Sequence, residues 1–313
     1  MTEASIFGRF PIAIYYQSFR STPEKARLIS MPISIIFAGT PDFAVPSLQE
    51  LIDDTAYDVK YVITQPDRPV GRKQVITAPP IKALALENDI PVWQPHNINK
   101  EWEDRPFSTP DFLVVAAYGQ ILKQDVLDEP TIAPVNIHAS LLPKWRGASP
   151  IHHAILHGDT ISGVTIQRMV KALDQGAILS QAAAAIEERD TTASLHDRLS
   201  QLGATLLVKT LKAPLVPKEQ NENDVTLCTK LKRSDGAVDP LTMSAINIDR
   251  HVRALVPWPG VTCTIKNTTI KILETTLEES PDAYALHCAD DSVLYITTLQ
   301  VPGKKPVKGS EWK

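Results

Sequence analysis

The chain has 313 residues, which suggests about two domains of ordinary size, and 43% of its residues are hydrophobic, a normal share for a globular protein. The formal net charge of -4 at pH 7 excludes a polycationic nucleic-acid binder, so any nucleic-acid contact needs a local basic patch. The three cysteines lack metal-ligand spacing, and this sparse, odd set predicts a reducing compartment without structural disulfides. Because no apolar run approaches transmembrane length, we expect no membrane partner.

Residues 1–30 show no clear hydrophobic period and differ from the segments that follow. Their apolar stretch, residues 12–16, is too short and too interrupted for a good secretory signal. Their arginine and serine content faintly suggests a transit peptide, but Glu3 and Glu24 weaken that interpretation. We therefore interpret residues 1–30 as an extension of unknown role.

A strand-helix-strand pattern begins at residue 33. Residues 33–38 form a short apolar run that is typical of a central strand, and Asp42 is a plausible N-cap for a helix through Leu51. The next strand is predicted at residues 57–64, and this order implies a right-handed crossover and a parallel sheet. Only Gly39 follows the first strand, so the glycine-rich dinucleotide fingerprint is missing and a nucleotide cofactor is not supported.

Residues 65–80 form a predicted loop that carries Arg68, Arg72 and Lys73. Composition alone favours a solvated surface loop. Residues 111–117 are apolar throughout, which predicts a second central strand. Tyr118-Gly119 then leaves this strand, either at the ligand-binding end of the sheet or as an ordinary turn into a helix.

The most informative stretch runs from residue 131 to residue 149. Residues 131–137 predict a strand, and Asn136 and His138 lie two positions apart, so their side chains point to the same side of it. An amide and an imidazole therefore emerge together where open α/β sheets bind ligands. An apolar turn, residues 141–143, and a basic-aromatic patch, residues 144–146, come next. They lead into a helix whose predicted N-cap is Ser149.

A carboxylate follows the next predicted strand, residues 163–170. Asp174 lies in a turn that contains Gly176. A carboxylate beside a histidine can fix the histidine tautomer and stabilise its protonated form. An ordinary turn aspartate explains the residue equally well, and this stretch alone does not decide between the two.

The pattern changes after a long predicted helix, residues 192–212. A polar, proline-interrupted segment follows, and we interpret residues 213–225 as an interdomain linker. A helix at 245–255 and several short strands between residues 260 and 297 then predict a small β-barrel. The predicted division is an extension (1–30), a first domain (31–212), the linker, and a second domain (226–313).

The motif Asn-Ile-His-Ala-Ser-Leu-Leu-Pro at 136–143, followed by Asp174, resembles the formyltransferases that use 10-formyltetrahydrofolate. Residues 37–46, 65–72 and 117–122 resemble the branch of that family that acts on methionyl-tRNA. The resemblance begins near Met31, which makes Met31 an alternative start of the protein. It implies a Rossmann-like parallel-sheet α/β domain followed by an OB-like domain that contacts tRNA.

The resemblance also implies a mechanism and a set of site residues. Asn136 would donate to the developing oxyanion, His138 would carry a proton or act as a second donor, and Asp174 would orient His138. The predicted folate contacts are Ser140, Leu141, Leu142, Pro143, Tyr118, Gly119 and Ile121. The predicted tRNA contacts are Arg68, Arg72, Lys73, Lys144 and Arg146. The co-substrates would be 10-formyltetrahydrofolate and initiator methionyl-tRNA, without a metal, in a cytoplasmic monomer.

One feature departs from the family pattern, and three alternatives stay open. Where relatives commonly have a glycine and consecutive lysines after the position of Arg72, this chain has Lys73-Gln74-Val75, so the loop is less basic. An enzyme that formylates an amino-sugar nucleotide would share the Asn-His-Asp set. A glycinamide-ribonucleotide formyltransferase would need no second domain, and an RNA-binding module without catalysis would not need all three polar residues.

Overall fold

The computed structural model describes residues 32–71 and 73–312. The predicted extension, residues 1–30, and the predicted tRNA contact Arg72 lie outside the described residues.

The described part of the chain alternates strands and helices in its first two thirds and is richer in strands in its last third. The strands are β1 (Ile33–Gly39), β2 (Tyr57–Ile63), β3 (Arg68–Val70), β4 (Val75–Thr77), β5 (Val92–Trp93), β6 (Phe112–Ala116), β7 (Ala133–His138), β8 (Arg146–Gly147), β9 (Ile161–Arg168), β10 (Ile178–Ala185), β11 (Leu227–Cys228), β12 (Val261–Ile265), β13 (Thr268–Thr276), β14 (Tyr284–His287), β15 (Val293–Gln300) and β16 (Val307–Lys308). The α-helices are α1 (Val45–Asp53), α2 (Pro80–Glu87), α3 (Ile98–Glu101), α4 (Gln124–Leu127), α5 (Pro150–Leu156), α6 (Thr192–Lys212) and α7 (Ala245–Leu255).

The first sheet contains seven strands in the order β10-β9-β7-β6-β1-β2-β5. The strands from β7 to β5 pair in parallel, as the strand-helix-strand pattern predicts. The last two strands differ from the predicted parallel sheet, because β9 runs antiparallel to β7 and β10 runs antiparallel to β9. The short loop between β9 and β10 has no room for a crossover helix, so these strands pair as a hairpin.

Strand β1 is buried on both faces of this sheet. Ile35 and Phe37 belong to the larger apolar core, which also contains side chains of α1 and α6. Ile36 and Ala38, which point to the other face, belong to a second core with Trp102 and Tyr118. This double burial explains the continuous apolar run in the sequence, which is typical of a parallel sheet covered on both faces.

Helix α6 begins at a capping box in which Thr191 and Ser194 exchange side-chain to backbone hydrogen bonds. Its apolar stripe, which includes Leu195, Leu199 and Leu207, is buried against the first sheet. The predicted N-cap Asp42 lies instead in a short 3-10 turn that precedes α1 and makes no capping bond there.

The last third of the chain forms a curled antiparallel sheet in the order β12-β13-β15-β14, with β16 paired to β15. Helix α7 packs against it. This arrangement matches the predicted small β-domain, but it agrees only roughly with a closed OB barrel, since β12 and β14 stay at opposite edges within the described residues.

Two segments predicted as plain loop or linker have definite structure. Residues 65–80 contain the β3–β4 hairpin, whose side chains are exposed. In the segment predicted as a linker, Lys218 pairs with Ile178 of the first sheet through two backbone hydrogen bonds of 2.8 Å. Among residues 32–71 and 73–312, no helix is both long and apolar enough to cross a bilayer.

Candidate active site

The carboxyl end of β7 places Asn136 and His138 opposite β9. Their register partners there are Gln167 and Thr165. The apolar residues before them, such as Val135, are fully buried and fix the strand in the sheet. The structure therefore brings the two predicted polar side chains out at the end of a central strand, where the parallel strands of such sheets form a crevice.

Each ring nitrogen of His138 faces an oxygen acceptor. Nε2 lies 2.9 Å from the carbonyl oxygen of Trp145, and Nδ1 lies 3.6 Å from Oδ1 of Asp174. The imidazole is only 6% exposed, so solvent competes little for these partners. Because a carbonyl oxygen can only accept, Nε2 carries a proton in this geometry, and Nδ1 is the ring nitrogen next to the Asp174 carboxylate.

Asp174 is held in a fixed orientation beside His138. Its backbone has a left-handed conformation, with φ of 52°. The amide N–H of Gly147 donates to Oδ2 at 2.9 Å, and the side-chain amide of Gln167 donates to Oδ1 at 2.9 Å. The turn and these two donors direct the carboxylate toward the imidazole, which is the contact that the predicted role of Asp174 needs.

The predicted folate loop, residues 140–143, is attached to β9 through Thr165. The Thr165 hydroxyl donates to the carbonyl of Ser140 at 2.7 Å and accepts from the amide of Leu142 at 3.0 Å. Gln181 on β10 donates to the carbonyl of Leu142 and to the Thr165 hydroxyl, both at 2.9 Å. The side chains of Ser140 and Leu142 are buried, whereas those of Leu141 and Pro143 are partly exposed.

A cleft of about 140 Å³ opens next to Asp174. Its lining combines the Asp174 carboxylate and polar Gln167 with apolar side chains of two loops. The residues lining it are Gln120, Ile121, Leu122, Gln167, Met169, Val170, Lys171, Ala172, Leu173 and Asp174. Ile121, a predicted folate contact, lies in this wall and is 74% exposed.

Tyr118 and Gly119 differ from Ile121 in their surroundings. The Tyr118 ring is buried in the second core, where burial and then the nearby charge of Glu101 raise its pKa well above the usual range. Its carbonyl already accepts from the Thr40 hydroxyl at 2.9 Å. Tyr118 therefore supports the turn from within, while Gly119, with φ of 90°, gives the backbone its direction.

The predicted tRNA contacts fall into two groups. Arg68, Lys73 and Lys144 are exposed, and the first two lie on or beside the β3–β4 hairpin. Arg146 is 3% exposed, and its guanidinium donates to Gln220 at 2.9 Å and to Glu222 at 2.7 Å. The prediction for Arg146 therefore needs correction, because its guanidinium is buried and already bonds Gln220 and Glu222, so it is not presented to a phosphate.

Several residues that complete the site were not predicted from the sequence. Gln167 and Thr165 stand on β9 inside an apolar strand pattern, and Gln220 and Thr226 lie beyond α6 in or next to the predicted linker. On β9, Gln167 and Thr165 alternate with apolar residues, which is a weak signal that their side chains point toward the loops of the site. No local signal marks Gln220, since polar residues are normal in a linker.

Cys228 lies against the same loops. Its thiol donates to the Trp145 carbonyl at 3.2 Å, and burial raises the pKa of the thiol to about 11. The group is therefore a neutral packing residue at physiological pH. Among the described residues, no cluster of three or more His, Cys, Asp or Glu side chains is arranged to hold a metal ion.

Two family models match this chain in succession. The model described as formyl transferase matches residues 31–211, and the one described as formyl transferase, C-terminal domain, matches residues 230–313. The chain belongs to the formyl transferase family. The Asn136–His138–Asp174 site lies entirely within the first match.

Proteins similar over most of their length carry a more specific name. The methionyl-tRNA formyltransferase of Bacillus thuringiensis subsp. konkukian (strain 97-27) is 41% identical over 299 residues, which cover 90% of this chain and 95% of that relative. Solved structures share the fold at lower identity. An N-formyltransferase from Helicobacter canadensis, in complex with folinic acid and dTDP-3-aminofucose, has a TM-score of 0.64 at 20% identity and covers 84% of this chain and 98% of that one. The methionyl-tRNA formyltransferase from Clostridium thermocellum has a TM-score of 0.55 at 15% identity, covering 79% and 94%.

Proposed function

We propose that this chain transfers a formyl group from 10-formyltetrahydrofolate to the α-amine of methionyl initiator tRNA, and so supports translation initiation in the cytoplasm. The observation that carries the proposal is the contact between His138 and Asp174, next to Asn136, in a chain that is 41% identical over 90% of its length to a methionyl-tRNA formyltransferase. We also propose that it acts as a monomer.

The cleft fits the pterin end of a folate. A pterin is a flat ring with a polar edge, and the cleft pairs apolar walls with polar groups at Asp174 and Gln167. The carbonyl oxygen of the Gln167 side chain is buried and has no hydrogen-bond partner among the described residues. A buried acceptor of this kind costs free energy unless a donor reaches it, which supports a polar ligand at this end of the cleft.

In the proposed reaction, the amine nitrogen attacks the formyl carbon and the bond from that carbon to the folate nitrogen breaks. Asn136 donates a hydrogen bond to the formyl oxygen while that oxygen carries negative charge. His138 takes up the proton that the attacking amine loses, and a proton returns to the folate nitrogen as it leaves. Asp174 keeps the imidazole in place and offsets the positive charge that develops on it.

An amino-sugar acceptor is the principal alternative, because sugar formyltransferases share this fold. Two stretches near the start of the first domain favour the tRNA acceptor. Thr40 and Gln65, from the two stretches that resemble the tRNA branch, both donate to the carbonyl of Tyr118 and so support the turn leading into the cleft. The exposed β3–β4 hairpin directly follows Gln65 and extends the surface next to that turn.

The decisive experiment offers 10-formyltetrahydrofolate with two acceptors in separate reactions, methionyl initiator tRNA and a dTDP-linked amino sugar. Formylated methionyl-tRNA without formylated sugar is the expected result, measured by acid-stable incorporation of labelled formyl. Formylation of the sugar alone would replace the proposed acceptor. Formylation of neither by the folded protein would contradict the transferase proposal.

A further inference from the structure

Residues 218–228, named here the bracing segment, connect the two halves of the chain and lie against the loops of the candidate active site. The segment begins where Lys218 pairs with Ile178. It ends in β11, which pairs in parallel with β8. The segment therefore contacts both the turn that carries Asp174 and the loop at residues 143–148.

Gln220 is the best-connected side chain of the bracing segment. Its amide nitrogen donates to the carbonyl of Asp174 at 2.8 Å and to the carbonyl of Gly176 at 2.7 Å. Its amide oxygen accepts from Nε of Arg146 at 2.9 Å. The side chain is only 8% exposed, so these bonds are sheltered from water.

The two carbonyls that Gln220 bonds belong to a constrained turn. Asp174 has φ of 52°, and a Cβ at Gly176 would come within 1.7 Å of the carbonyl oxygen of Arg168. A left-handed conformation costs free energy for a residue other than glycine, so the surrounding bonds must hold it. Gln220 supplies two of these bonds from outside the turn.

Arg146 links Gln220 to the loop at residues 143–148. Its second contact is with Glu222, whose side chain is 73% exposed, while the Arg146 guanidinium itself is buried. The hydrogen bond and charge of Arg146 hold the pKa of the Glu222 carboxyl below its usual range. Gly147, the next residue, donates its amide to Asp174 Oδ2.

Thr226, directly before β11, holds the remainder of this loop. The Thr226 hydroxyl accepts from the amide of Trp145 at 2.8 Å, and the Thr226 carbonyl accepts from the amide of Arg146 at 2.9 Å. The Trp145 carbonyl is the acceptor that faces Nε2 of His138. One partner of His138 and one partner of Asp174 therefore lie on a loop that the bracing segment fixes.

We propose that Gln220 is a positioning residue for the formyl-transfer step: it fixes the Asp174 turn and, through Arg146, the loop whose Trp145 carbonyl and Gly147 amide complete the His138–Asp174 pair. This inference rests on the proposed function. It assigns to the segment between the two halves a part in the active site. Because the two direct bonds of Gln220 to the turn hold Asp174 in place, its removal should lower turnover much more when a working Asp174 is present than when it is absent.

The test is a double-mutant cycle in the full chain with Gln220→Leu and Asp174→Asn, measured as formyl transfer to methionyl-tRNA. We expect Gln220→Leu to lower kcat about tenfold or more, with KM for tRNA and for the folate changed less than about twofold, since a one-ångström displacement of a catalytic group has large effects on turnover. In the Asp174→Asn background the same substitution should cause a clearly smaller loss, because only the route through Arg146 to the loop at residues 143–148 then remains.

A merely structural role predicts a different pattern, because a lower folded fraction reduces activity by the same factor in both backgrounds. Equal factors, or an unchanged kcat in the single variant, would overturn the proposal. The matched control is Gln201→Leu, which makes the same change at an exposed position of α6. If Gln220→Leu does not fold, the cycle is repeated with Glu222→Ala, which removes the exposed partner of Arg146, and the result is judged by the same criterion.

A second readout does not depend on catalysis. Hydrogen exchange at the Gly147 amide, followed by NMR, should accelerate in Gln220→Leu, because the acceptor Asp174 is no longer held opposite it. Amides of β1 should keep their protection. Unchanged exchange at Gly147 would contradict the positioning role, whereas a wild-type protein that transfers no formyl group would contradict the proposed function alone.

Discussion

At the scale of single residues, Asn136 makes the sharpest prediction. Its amide stands at the end of β7 beside the His138–Asp174 pair and is the proposed donor to the oxyanion. Asn136→Ala should lower kcat by about 10²–10³, the effect of removing one preorganised oxyanion donor, and leave KM for both co-substrates nearly unchanged. Steady-state kinetics on methionyl-tRNA measure both constants.

The control for this substitution is Asn88→Ala, which removes an exposed amide at the end of α2. It should leave kcat at the wild-type value. An Asn136→Ala protein that keeps wild-type turnover would remove Asn136 from the mechanism. Circular dichroism of each variant shows whether a loss of activity reflects chemistry or a loss of folded protein.

The sequence predicts the residues of the site that share one strand or one local turn, and it does not predict those that meet by folding. The two-residue spacing of Asn136 and His138 is enough to place them on one side of a strand. Gln220, by contrast, lies 46 positions from Asp174 and its neighbours are ordinary linker residues. Arg146 shows the same limit, since its positive charge suggests a phosphate contact until Glu222 is known to be its partner.

At the scale of elements, the attachment of the folate loop to β9 depends on one hydroxyl. Thr165 is fully buried, and its Oγ1 bonds Ser140, Leu142 and Gln181. Thr165→Val keeps the shape but removes the bonds to the Ser140 carbonyl and the Leu142 amide, which should cost about 1–3 kcal/mol in the free energy of unfolding. The loosened loop should also raise KM for the folate more than KM for tRNA.

Urea unfolding and steady-state kinetics measure these two effects. Thr269→Val on β13 is the matched control, because the Thr269 side chain is exposed and its removal should change neither value. A Thr165→Val protein with wild-type stability and wild-type KM would show that the loop is held by other contacts.

The β3–β4 hairpin is the element for the proposed tRNA contact. Its exposed faces carry Arg68 and Lys73 together with Val70, Val75 and Ile76. Arg68→Ala should weaken tRNA binding and reduce the slope of log Kd against log salt by about 0.9, the value for one lost phosphate contact. Filter binding over a salt series measures this slope. An unchanged slope would exclude a phosphate contact for Arg68, and Lys209→Ala on α6 should leave the slope unchanged.

Strands were predicted correctly from the sequence where apolar runs are continuous. The prediction failed where neighbouring strands determine how a strand pairs. The buried runs of β1 and β6 identify central parallel strands directly. Strand β9 was identified as a strand, but the antiparallel direction of β9 and β10 follows from a short connection and an edge position. The β3–β4 hairpin was missed because Pro69 and the polar residues of residues 65–80 obscure the alternation that normally indicates strands.

At the scale of the whole molecule, polar contacts join α7 to the start of α6. Arg253 donates from Nε to Asp249 at 2.7 Å and from Nη1 to the carbonyl of Asp190 at 3.0 Å. Thr192 donates to the carbonyl of Ala254 at 2.8 Å. The bond from Arg253 to Asp190 and the bond from Thr192 to Ala254 connect the last third of the chain to the start of the helix that covers the first sheet.

Asp190 makes stability depend on pH. Burial acts to raise the pKa of its carboxyl, but hydrogen bonds from Arg198, the Glu187 amide and Ser194 outweigh burial and lower it. A carboxyl whose pKa is lower in the folded protein stabilises it above the unfolded pKa of about 3.9, and this stabilisation is lost as the pH falls through the folded value. The thermal midpoint should therefore fall between pH 5 and pH 3.

Asp190→Asn removes the titrating group and one partner of Arg198. The variant should be less stable than the wild type at pH 7, and it should lose less of its thermal midpoint between pH 5 and pH 3, because one carboxyl no longer takes up a proton on unfolding. Asp125→Asn, at an exposed position of α4, should follow the wild-type curve. If Asp190→Asn and the wild type lose the same number of degrees over this range, the acid sensitivity arises from other carboxyls, and the contact between α6 and α7 does not depend on the charge of Asp190.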